Sequence, residues 1–82
     1  DFFKSNFAVY PNPATSVLNI TSSNNAAINA ASITDINGRT VKTVSMNAVS
    51  EAQINISDLT AGVYFLNVTS DAGTGTSKIV KK

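Results

Sequence analysis

The side chains able to do chemistry in this 82-residue chain are few: four aspartates, one glutamate, five lysines, one arginine and two tyrosines. Histidine, cysteine and tryptophan are absent. A thiolate or imidazole metal site therefore cannot be assembled, nor can a Ser-His-Asp or Cys-His nucleophile. Calcium takes dense loops of Asp and Asn oxygens, whereas Asp35, Asp58 and Asp71 stand far apart in the sequence with no such loop around them. Glycoside hydrolysis needs two carboxylates facing one cleft, and five acids on so small a chain argue against it. A net charge of +1 is too little for the electrostatic footprint of a nucleic-acid binder. No catalysis, metal, cofactor, small-molecule substrate or nucleic acid is expected. The one concentrated charge pattern is Lys78-Ile79-Val80-Lys81-Lys82.

The elements that would position these groups read as strands. Ser, Thr and Asn supply 29 residues, and their short side chains compete with a helical backbone for hydrogen bonds. Val and Ile number fifteen against three Leu; β-branched side chains suit the pleated sheet. No apolar stretch approaches the roughly 20 residues that span a bilayer, and no signal-peptide pattern opens the chain. Polar strands rich in Thr and Asn suggest a secreted or surface protein. Beginning at Asp1 without Met, the chain is expected to be a piece of a longer protein.

Residues 1–6 show no periodic pattern and are read as a linker. Phe7 to Tyr10 forms a short strand stopped by Pro11-Asn12-Pro13, since two prolines fix φ and remove ladder donors. Val17 to Thr21 follows, with Leu18 and Ile20 inward, then a polar connection over 22–29. Ala31 to Ile36 is the third strand, and Asn37-Gly38 predicts a type I′ hairpin turn, which needs positive φ at both residues. Arg39 to Met46 returns, with Val41 on one face. Ala52 to Ile56 alternates through Ile54 and Ile56, and Leu59 plugs one end. Gly62 opens the most apolar strand, where Tyr64, Leu66 and Val68 face the core. Residues 71–75 are expected as a flexible turn, and Thr76 to Lys82 as the last strand. About seven short strands at this spacing predict an all-β, immunoglobulin-like antiparallel β-sandwich in a single domain.

Four pieces occur in a telling order: Val9-Tyr10-Pro11-Asn12-Pro13-Ala14, Asp35-Ile36-Asn37-Gly38-Arg39-Thr40-Val41, Leu59-Thr60-Ala61-Gly62-Val63-Tyr64-Phe65-Leu66, and Lys78-Ile79-Val80-Lys81-Lys82. From about Val9 to Lys82 the chain resembles the type A C-terminal sorting domain of the Bacteroidetes type IX (Por) secretion system. Each piece alone is common; together, in this order and spacing, they are specific. Thr34 departs from the family, which often carries an aromatic there. The resemblance implies a non-catalytic secretion signal that takes a cargo protein through the periplasm and across the outer membrane to the cell surface. Its implied partners are the type IX translocon, an outer-membrane shuttle protein and a surface sortase. The sortase would cut before the Pro-Asn-Pro motif, at or just upstream of residues 1–6, and the cargo would be released or joined to lipopolysaccharide. On this reading residues 1–6 are the processing linker and 7–82 the sorting domain.

The motif residues have structural roles as well. Pro11, Asn12 and Pro13 set the angle at which the linker joins the sandwich. Asn37 and Gly38 make the turn, and Arg39 is solvated or pairs with Asp35. Gly62 supplies positive φ or close backbone approach. Tyr64 is expected in the core with its hydroxyl partnered, beside Leu59 and Leu66. Lysines on an edge strand discourage stray pairing, but the resemblance makes Lys78, Ile79, Val80, Lys81 and Lys82 the expected recognition element, read by strand addition or charge. The same edge makes dimerisation by strand pairing an expectation. The alternative function is a small carbohydrate-binding or adhesive module appended to a secreted enzyme. Against it stand only six aromatics, with Phe2 and Phe3 in the linker and the adjacent Tyr64 and Phe65 facing opposite sides.

Overall fold

A computed structural model describes residues 2–11, 14–23 and 26–82, the side chains of Phe2 and Lys4 excepted. Asn12 and Pro13 lie outside the described residues. One short helix, α1 (Phe2–Asn6), precedes seven strands: β1 (Phe7–Tyr10), β2 (Val17–Ser22), β3 (Ile28–Asp35), β4 (Thr40–Val49), β5 (Glu51–Asn55), β6 (Gly62–Ser70) and β7 (Gly73–Lys81). They form two antiparallel sheets, ordered β1-β2-β5 and β4-β3-β6-β7. The expected β-sandwich is what the chain forms.

Strand alternation puts Leu18, Ile20 and Ile54 on the inner face of the small sheet and Ala31, Ile33, Tyr64, Leu66, Val68 and Ile79 on that of the large one. Ile56, just past β5, is fully buried as well. Removing such a side chain from water contributes roughly 1.5–3 kcal/mol each, and without disulfides this layer alone must offset chain entropy.

Several strand bounds differ from expectation, and β4 runs on to Val49. β3 begins at Ile28, three residues earlier than the pattern suggested, because Ile28 is itself fully buried and pairs with both Val49 and Ser70. The expected flexible turn over 71–75 is shorter. Gly73 and Gly75 already pair with Ser70 and Val68, which leaves only Asp71 and Ala72 between strands. Polar capping tightens that turn: Ser70 Oγ donates to the Gly73 carbonyl at 2.9 Å and accepts from Ala72 N at 3.2 Å, while Asn29 Nδ2 donates to Asp71 Oδ1 at 3.0 Å. In β4 the register slips opposite Ile28 and Ala30, and Ala48 takes φ 53° to absorb the extra residues.

Residues 2–6, read as a linker, form the helix α1. Its Phe3 is buried and meets the Phe7 ring at 5.3 Å between centroids, tilted by 53°. Two adjacent phenylalanines in a polar setting were the available signal, and five residues are too few to show helical periodicity. The helix packs on β1 and β7.

Candidate functional site

The strand registers bring the separated motifs to one end of the sandwich. Asp35 lies across from Tyr64, Gly62 across from Lys81, and Ala14 bridges to Lys81 in parallel. The loops 36–39 and 56–61 meet there. The opposite end carries α1, the start of β5 at Glu51 and the 71–72 turn.

Asp35 organises the first loop. Its Oδ1 accepts from the backbone N–H of Asn37 at 2.9 Å and of Arg39 at 3.0 Å, while Gly38 N donates to the Asp35 carbonyl at 3.0 Å and Asp35 N to the Arg39 carbonyl at 2.9 Å. Gly38 has φ 83°, but Asn37 does not have positive φ. The two-residue type I′ turn is therefore replaced by a longer loop, in which a glycine at left-handed φ follows an aspartate-nucleated turn. The aspartate outcompetes the Asn-Gly signal because it satisfies two backbone donors at once. Arg39, expected either solvated or paired, is both: its Nε lies 3.3 Å from Asp35 Oδ2 while its side chain stays 79% exposed.

These contacts hold the Asp35 carboxyl below its ordinary value of 3.8, chiefly through the Arg39 backbone N–H, with the Asn37 N–H and the Arg39 guanidinium adding to it against partial desolvation. A depressed folded-state pKa stabilises above the unfolded value, and that contribution is lost as pH falls through the folded one. Thermal melts should therefore show Asp35→Asn less stable than the parent at neutral pH, with the gap closing in acid below 3.8. A gap that stays constant into strong acid would show that the charge plays no part.

The second loop faces the first. Lys42 Nζ lies 3.2 Å from Asp58 Oδ1, tying β4 to this loop. Leu59 is half-buried against the core, as its plug reading expects. The Tyr64 hydroxyl donates to the Thr60 carbonyl at 2.7 Å and lies 3.1 Å from Thr60 Oγ1. This is a tyrosine corner, the device that pins such a loop to its strand in immunoglobulin-like sandwiches. Gly62 has φ 154° with nothing near where a Cβ would stand, so backbone conformation and not close approach calls for glycine here.

The last strand lies at the sheet edge, with Ile79 buried against Tyr64's strand, Val80 half-buried, and Lys78 and Lys82 exposed. Lys81 Nζ donates to the Lys82 carbonyl at 3.1 Å. The edge is covered where it ends: Ala14 N donates to the Val80 carbonyl at 2.9 Å and Lys82 N to the Ala14 carbonyl at 2.8 Å. Ala14 is 1% exposed. Only its place just after Pro13 marked it in the sequence; the bridge itself is long-range and left no local trace.

Between the two loops lies an open cleft of about 510 Å³, lined among others by Ile36, Arg39, Val41, Leu59, Ala61 and Val63. Ile36 stands 71% exposed at its rim. Among the described residues no group of three metal-ligating side chains gathers. The carboxylates of this end are engaged in ion pairs and backbone contacts, an arrangement suited to holding shape and presenting a surface.

Comparison with known families carries the assignment further. No curated protein matches the chain. The family described as the secretion system C-terminal sorting domain matches residues 8–82, which spans all four sequence motifs. With nearly its whole length matched, the chain belongs to the secretion system C-terminal sorting domain family.

Proposed function

We propose that this domain is a non-catalytic address. The type IX translocon and an outer-membrane shuttle protein read it from Lys78 to Lys82, and a surface sortase then removes it, with the cargo released or joined to lipopolysaccharide. The family match over residues 8–82 is the observation that supports this reading. With Val80 O and Lys82 N bonded to Ala14, the last residues are read by their side chains and not by strand addition. Cleavage falls upstream of Phe2, since a cut within α1 would separate Phe3 from the core it helps to close.

The test is a fusion of residues 1–82 to a periplasmic reporter, expressed in a host with this secretion system and in hosts lacking its translocon or its sortase. Surface display that needs the translocon, and trimming that needs the sortase, are the expected results. Display in the host lacking the translocon would refute the reading.

A further inference from the structure

On the outer face of the β4-β3-β6-β7 sheet, the pleat and register place Thr43 and Ser45 of β4, Ala30, Ser32 and Thr34 of β3, Asn67 and Thr69 of β6, and Thr74 and Thr76 of β7. These are small or polar residues, as a solvated sheet face requires. The pattern breaks at the motif end. Val63 pairs with Val80 across β6 and β7, and Phe65 follows Val63 on the same face with Lys78 as its cross-strand partner. All three apolar side chains are half-buried, and the 71% exposed Ile36 lines the same cleft as Val63. Apolar side chains gathered at one end of an otherwise polar face mark an interaction site.

Charge is distributed with the same polarity. Five of the six cations, Arg39, Lys42, Lys78, Lys81 and Lys82, lie at or near this end. Two carboxylates accompany them, Asp35 and Asp58, and each is already in an ion pair. Glu51 and Asp71 lie at the other end. An apolar centre with Phe65 as its large anchor and a basic rim is the composition of a protein-docking patch.

We infer that the sorting signal is a composite surface, with Ile36, Val63, Phe65 and Val80 inserting into an apolar groove of a protein partner whose rim is acidic. This rests on the reading of the domain as a sorting signal, and it assigns recognition to the folded end of the sandwich together with the lysines instead of to the last five residues alone. The passenger enters from α1, at the opposite end, so the patch points away from it.

The experiment uses the same reporter fusion with the last five residues left intact, comparing the parent with Ile36→Ser and with Ile36→Ser/Phe65→Thr. Thr is the residue β6 and its neighbours already use on this face. Surface display is expected to fall about tenfold or more in the double variant, the effect of truncating a central anchor, and measurably in Ile36→Ser, whose side chain is 71% exposed and so buries little on folding. Thermal melts of purified Ile36→Ser are expected to stay within a few degrees of the parent, and the double variant is compared at a temperature where its melt shows it folded. Normal display of both variants, with the parent still dependent on the translocon, would overturn the composite surface and leave the sorting function standing. Parent display that ignores the translocon would remove the sorting function itself. Light scattering decides the remaining occupant: a parent dimer that becomes monomeric in the double variant would assign the patch to a second copy of this chain and overturn the proposal.

Discussion

Changing Lys78, Lys81 and Lys82 together to Glu is expected to lower surface display of a fused passenger by about tenfold or more and to leave the fold intact. The two halves of that expectation have separate physical causes. Lys78 and Lys82 are exposed and the Lys81 ammonium donates to the neighbouring Lys82 carbonyl; substitutions at exposed positions usually change stability by within about 0.5 kcal/mol. Against an acidic partner, by contrast, reversal sets like charges face to face, which costs several kcal/mol. Deleting Lys78 to Lys82 is also expected to strand the passenger in the periplasm, but for two reasons at once. The deletion removes Ile79, 1% exposed and paired with Tyr64, and it takes away both backbone partners of Ala14. Loss of a buried isoleucine to this extent costs about 2–5 kcal/mol. Charge reversal separates recognition from folding. Normal display of the triple variant would show that the lysines protect the sheet edge and nothing more.

Alternation carried the fold. Leu18 with Ile20, Ile54 with Ile56, and Tyr64 with Leu66 and Val68 could be assigned to the core from period-2 spacing, because a strand with one buried face has no other way to hide them. Tyr64's hydroxyl partner was predictable in kind, and Arg39 with Asp35 by proximity in sequence. What escaped has a common cause: contacts between residues distant in sequence, or segments too short for a period. The burial of Ala14 depends on β7, nearly seventy residues later. Phe3 is held by a helix of one turn. The loop after β3 departs from the type I′ turn that Asn37-Gly38 predicts because the Asp35 side chain bonds to two backbone donors of the same loop and selects a different geometry. The candidate surface was half legible. Val63 and Phe65 point away from Tyr64 and Leu66 by alternation alone, but the pairing of Val63 with Val80 and of Phe65 with Lys78, and the cleft that Val63 shares with Ile36, needed the sheet order β3-β6-β7.

Leu66→Ala is expected to have the largest effect on stability and, through it, on sorting. Leu66 is fully buried on β6, an inner strand of the four-stranded sheet flanked by β3 and β7, so the cavity opens within the core cluster. Such a truncation costs about 2–5 kcal/mol. Small domains hold roughly 0.05–0.15 kcal/mol per residue in total, so this one change consumes much of the margin, and the melting temperature should fall by roughly 10–40 °C. The consequence for function follows from where the motifs meet. Nothing in the local sequence of loop 36–39, of loop 56–61 or of the last strand holds them together; the packed sandwich does. If the folded end is what the translocon reads, display of the Leu66→Ala fusion should track the folded fraction, failing where melts show the domain unfolded and recovering on cooling to where it folds. Full display at a temperature where Leu66→Ala is unfolded would mean that an extended terminal segment suffices, and the convergence of motifs at one end would then serve stability alone.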